Sequence, residues 1–303
     1  MGVGILEDWE REVGDVSDET IAAIRALPQF SDAVRTAVRQ AIAHLKADPA
    51  QHANFRDSGR MILAMLALYL DATGGLTHRR LRDLSANSGA LSAGRATAML
   101  LHLQFIGFAT AAPEHRNGMP RVYKPTEPMR RAFRARAQID LESLAVMVPQ
   151  VAPLVARFDD AAFKAYVTAL GDLMLSLGPR HHEDLKDLDA LAGRNSAMLL
   201  LYILMDAADD GGAFPRAGKV SISASALARQ LNCSRMHVQR VLRDAERAGL
   251  VTRDGADGLA VTPLLCEKFS IWIALLFMVV GVIARRTMAA LQNQPAAQER
   301  ASA

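Results

Sequence analysis

Six arginines, Arg229, Arg235, Arg240, Arg243, Arg247 and Arg253, face only Asp244 and Glu246 over one short stretch, a local charge of +4. A guanidinium presents a planar fork of donors, which suits any partner with two acceptors side by side: a phosphate, or the N7/O6 edge of guanine. Gln239 can do the same for the adenine edge. On helical spacing Arg235, His237, Gln239, Arg240 and Arg243 avoid the stripe formed by Val238, Val241 and Leu242. Ser234 stands directly before them, where its hydroxyl can accept from the free N–H groups of a first helical turn. A second basic run spans Glu114 to Arg136, with seven basic residues against Glu114 and Glu127, or +5. Between Glu7 and Glu19 the balance reverses to −6. The whole chain carries only +3, so distribution, not total charge, makes a case for a polyanionic partner.

Other chemistry is thinly represented. His181, His182, Glu183 and Asp184 are metal-ligand types, but they follow Gly178-Pro179 in a polar connector and read as a solvated loop. Cys233 could sense oxidants, although a small cysteine between helices is commonly buried and inert. Cys233 and Cys266 are the only two cysteines, which fits neither a disulfide framework nor a zinc site. No phosphate-binding glycine loop, HExxH or GxSxG occurs. The expectation is a protein without catalytic residues, metal or cofactor. The acidic, charge-rich start lacks a secretory pattern, so the expected location is cytoplasmic.

The elements that would hold these residues occur twice. An apolar helix over Met61–Ala72 runs into Gly74-Gly75, and another over Met198–Ala207 is followed by Gly211-Gly212, with Asp71 and Asp206 135 residues apart. Ser92 and Ser234 are separated by 142 residues, as are Gly107 and Gly249. Between these marks Ala96, Met99, Leu100, Leu103 and Ile106 superpose on Val238, Val241, Leu242, Ala245 and Ala248. Shorter helices, His78–Leu84 and Ser225–Leu231, precede the capped ones. Extended pairs follow them: Phe108–Pro113 with Met119–Pro125 around Asn117-Gly118, and Leu250–Arg253 with Leu259–Thr262 around the Asp254–Gly258 turn. Thr20–Leu45 and Val151–Leu177 read as amphipathic helices preceding each unit.

The order is a helix-turn-helix followed by a wing. The stretch from Ala226 to Val251 resembles the winged helix of bacterial regulators of the MarR type, and the first unit, with a longer turn, resembles it less closely. The resemblance covers roughly residues 57–135 and 193–290. It implies a mainly α fold with small β-hairpin wings, in two winged helix-turn-helix units related by internal duplication. The expected organisation is an N-terminal helical segment over 1–56, a first unit over 57–145, a connector over 146–192, a second unit over 193–292 and a disordered tail over 293–303. Family members carry one unit per chain and act as dimers, so two units in one chain depart from the pattern.

The resemblance implies double-stranded DNA as partner. Ser234, Arg235, His237, Gln239, Arg240, Arg243 and Arg253 would form the reading surface of the second unit. The first unit would add mainly phosphate contacts from Arg79, Arg80, Arg95, Thr97, Arg116, Arg121 and Lys124. A transcription regulator is the leading reading; a plasmid replication initiator and a protein-binding adaptor of a chromosome-organising complex are the alternatives. Phe269–Ala284 has sixteen residues without a charge, just short of the 17 or so that a membrane span requires. We expect it to be an interface helix joining two chains together with the N-terminal helices, the alternative being a tail anchor.

Overall fold

The computed structural model describes residues 3–47, 58–87, 93–113, 120–177, 183–254 and 258–301. It opens with helices α1 (Val3–Glu12), α2 (Asp18–Arg25) and α3 (Phe30–Ala47). The single long helix expected over Thr20–Leu45 is two, because Pro28 interrupts the backbone ladder between α2 and α3.

From Ser58 the chain runs through α4 (Ser58–Ala72), β1 (Leu76–Thr77), α5 (His78–Asn87), α6 (Ala93–Phe105), β2 (Ala109–Ala111), β3 (Val122–Pro125) and α7 (Glu127–Met147). A connector follows, with α8 (Ala152–Ala156), α9 (Asp160–Leu177) and α10 (Lys186–Ala192). The continuous helix expected over Val151–Leu177 is broken at Arg157–Asp159. The first order of elements then returns as α11 (Ala197–Ala208), β4 (Gly218–Val220), α12 (Ala224–Gln230), α13 (Arg235–Arg247), β5 (Val251–Asp254), β6 (Gly258–Val261) and α14 (Pro263–Ala301). Each region holds an antiparallel three-stranded sheet, in the orders β1-β3-β2 and β4-β6-β5. The short first strands, β1 and β4, are additions to the expected hairpins; two or three residues are too few to show an alternating pattern.

Corresponding details agree. Ala96, Met99, Leu100 and Leu103 are buried on α6, as are Val238, Val241, Leu242 and Ala245 on α13. Both helices close through a left-handed glycine, Gly107 at φ 74° and Gly249 at φ 70°. Beyond each, the Phe108 N–H donates to Leu103 O at 2.7 Å and the Leu250 N–H to Ala245 O at 2.9 Å. These are six-to-one closures, in which glycine is free of the strain a Cβ would bring. A threonine then ties each sheet's exit to that glycine: Thr126 Oγ1 donates to Gly107 O at 2.7 Å, and Thr262 Oγ1 to Gly249 O at 2.8 Å.

The uncharged stretch of α14 lies inside the chain. Ile273, Ala274, Phe277, Met278, Val282 and Ala284 are buried, and α14 packs on α1, α2, α7 and α9. Gly281 lets Trp9 of α1 approach so closely that a Cβ there would stand 2.5 Å from the indole. By length and composition Pro263–Asn293 could cross a bilayer, yet 61% of its most apolar window is buried within the chain. The N- and C-terminal helices therefore cover each other's apolar faces within one chain. The backbone is helical to Ala301, which corrects the disordered tail expected from Asn293; Ala, Gln, Glu and Arg in this stretch are good helix formers.

Ion pairs tie the N-terminal helices to the second region. Arg25 meets Glu267 through two bonds of 2.7 and 2.6 Å, and Arg35 Nε donates to Asp209 Oδ2 at 2.8 Å. Burial alone would raise the Asp209 pKa, but hydrogen bonds from Arg35 and the Gly211 N–H hold it below the usual carboxylate range.

Candidate nucleic-acid interface

The second region sets α12 and α13 at a tight turn. The Ser223 hydroxyl accepts from the Ala226 N–H at 3.2 Å and starts α12. Asn232 adopts φ 46°, and the Cys233 N–H donates to Ala228 O at 3.0 Å, closing α12 with a left-handed residue. Asparagine tolerates that conformation better than most residues. Ser234, extended at φ −73° and ψ 146°, then accepts from the His237 N–H at 3.1 Å and caps α13. Ser234 thus fixes the start of the helix, a role worth about 1 kcal/mol of stability. Cys233 is half-buried in this turn; Cys266, in α14, has its thiol pushed up to about 11 by burial.

The outer face of α13 is basic at its N-terminal end. Arg235, Arg240 and Arg243 are exposed, as is Arg229 on α12. Arg240 Nη2 meets His237 Nδ1 at 3.1 Å, and His237 Nε2 lies 2.7 Å from Asn195 O. The carbonyl can only accept, so Nε2 carries the proton and Nδ1 accepts from Arg240. His237 is half-buried between them and orients Arg240, so it is not itself turned outward. Arg243 Nε donates back to Gln239 O at 3.3 Å. Met236 stands 66% exposed beside Arg235, adding an apolar tip that the charge pattern did not reveal.

The acids of α13 lie at its far end and are matched. Asp244 takes Arg194 at 2.9 Å and Arg247 at 3.2 Å, and Glu246 takes Arg253 at 3.1 Å. Arg253, expected on the reading surface, is therefore held by Glu246 along the sheet. Arg194 and Asn195 carry no signal in the sequence, because they precede α11 and meet α13 only in space. Beyond these pairs the N-terminal half of α13 presents cationic groups with no carboxylate ion-paired to them among the described residues.

In the first region the expected residues separate. Arg80 Nη1 donates to Gly75 O at 2.7 Å and so holds the turn before β1 instead of facing outward. Arg79 is exposed and lies 3.6 Å from Asp83. Arg95 is exposed and Thr97 half-buried, both on α6. Arg121, just before β3, and Lys124, within it, are exposed. Arg116, the hairpin tip Asn117-Gly118, the cap Ser92 and the pair His181-His182 lie outside the described residues. No group of three or more metal-ligating side chains occurs among the described residues.

Residues 195–251 match the helix-turn-helix domain family. The match begins at the residue that anchors His237 and ends on the first residue of β5, so it contains α11, α12 and α13. No curated protein and no solved structure matches the chain. A helix-turn-helix domain points to DNA binding.

Proposed function

We propose that the chain is a sequence-specific DNA-binding transcription regulator, cytoplasmic, with two winged helix-turn-helix regions derived from one duplication and similar to the MarR type. In this reading α13 enters the major groove and its arginines meet base edges, as the second helix of such a motif does. The observation that carries it is the exposed set Arg235, Arg240 and Arg243 on the outer face of a capped helix whose only acids are paired elsewhere. His237 makes Arg240 a preset fork, which lowers the cost of ordering it on DNA. Recurrence of one element order and one strand order supports the duplicated architecture.

Selection of bound sequences from random DNA tests this. Enrichment of an inverted repeat is the expected result, direct repeats would favour a replication initiator, and no enrichment would favour a protein adaptor. On the selected site Arg240→Ala should cost about 10- to 100-fold, the worth of one bidentate base contact of roughly 1–3 kcal/mol. Binding to random DNA should change far less. Equal losses on both would make Arg240 a phosphate contact and remove it from base reading.

A further inference from the structure

Among the described residues five large apolar side chains are exposed, and two of them, Leu101 at 56% and Phe105 at 88%, stand one turn apart on α6. Gly94 and Ala98, also exposed, continue the same stripe toward the helix start. The spacing 94, 98, 101, 105 is the four-three-four seam of a paired helix. A soluble chain leaves such a stripe open where something covers it.

We propose that this stripe pairs with the same stripe of a second copy, with two α6 helices antiparallel about a two-fold axis. The order of sizes supports a second copy over another partner. Two small positions are followed by two bulky ones, and an antiparallel pair centred between Ala98 and Leu101 sets Phe105 of each copy over Gly94 of the other. The same centring sets Leu101 over Ala98. An isologous contact must be self-complementary in this way. The Gly94 side is open, since a Cβ placed there would meet nothing within 4 Å. Arg95 lies beside the seam, at the rim of the pair, which takes it off the DNA.

A helix of 13 residues is only about 20 Å long, so the seam buries less than the roughly 800 Å² per partner of a standard interface. The free dimer is accordingly weak, forming at about micromolar concentration or above.

Sedimentation of the full chain without DNA, from low micromolar to several hundred micromolar, should show a monomer passing to a dimer. Leu101→Glu with Phe105→Glu should abolish the dimer and leave thermal unfolding unchanged, because both side chains are exposed. Register is read by cysteines in a C233S/C266S background. Gly94→Cys with Phe105→Cys should give a disulfide-linked dimer on mild oxidation. Within one chain these positions are about 16 Å apart along the helix, too far to bridge. Either cysteine alone should give none. A monomer at all concentrations, a dimer indifferent to the glutamates, or linkage by Gly94→Cys alone overturns the proposal. None of these outcomes bears on how α13 meets DNA.

Discussion

Helices α6 and α13 hold the same place in their regions, bury matching positions and end on the same glycine closure. Their outer faces differ almost completely. Where α13 carries Met236, Arg240, Arg243 and Arg247, α6 carries Gly94, Ala98, Leu101 and Phe105 at the constant offset of 142. The inner face is constrained by the core, where a changed volume costs stability. The outer face is constrained only by what it meets, so one scaffold can present cations to a polyanion in one region and an apolar seam in the other.

The comparison is broken most directly by giving α13 the outer face of α6. Arg240→Ala, Arg243→Leu and Arg247→Phe together should remove specific binding, by about 2–6 kcal/mol if Arg240 and Arg243 both reach base edges. Competition binding on the selected site against random DNA measures it, with thermal unfolding as the control for folding. Retained specificity would place base reading outside α13.

The inner face of this scaffold was legible because it is periodic. Apolar positions repeated at helical spacing, and glycines and serines marked the ends, so the elements of both regions were placed to within a few residues. The strands β1 and β4 were not, being too short to carry a pattern. The fate of α14 was hidden for another reason. Ile273 and Phe277 are as apolar in a core as in an interface or a bilayer, and only the tertiary contact with Trp9 and its neighbours decides among them. Among the candidate site residues, charge and spacing singled out Arg235, Arg240 and Arg243, which the fold leaves exposed, but could not show that Arg80 and Arg253 have partners within it. The duty of His237 was equally hidden, because Asn195 lies 42 residues earlier in the chain.

A smaller effect sharpens the contrast at the first region's sheet. Arg121→Ala with Lys124→Ala removes two exposed cations at β3. If the first region touches phosphates there, affinity should fall by one common factor on all sequences, and the salt dependence should become shallower by up to about 2 units. An unchanged slope would leave assembly as the first region's only task.

The smallest expected effect concerns one equivalent pair on the two helices, His102 on α6 and Asp244 on α13. Asp244 is met by Arg194 and Arg247. The His102 Nε2 is buried and has no hydrogen-bond partner among the described residues. Burial, and after it the charge of Arg60, holds the His102 pKa below the usual imidazole value of 6.5. The unfolded chain therefore binds a proton at this residue more readily than the folded one. Its contribution to stability is fully present above about pH 6.5 and is lost as pH falls through the lower folded value. His102→Leu has no such proton to take up, so the loss of thermal stability between pH 7 and pH 5 should be smaller in the variant than in the wild type. Comparing the two slopes cancels the titration of all other groups, including Asp209, which weakens in the same direction on acidification. Parallel slopes would mean that His102 is as easily protonated in the fold as outside it, and that this pair of positions does not divide the two regions by charge.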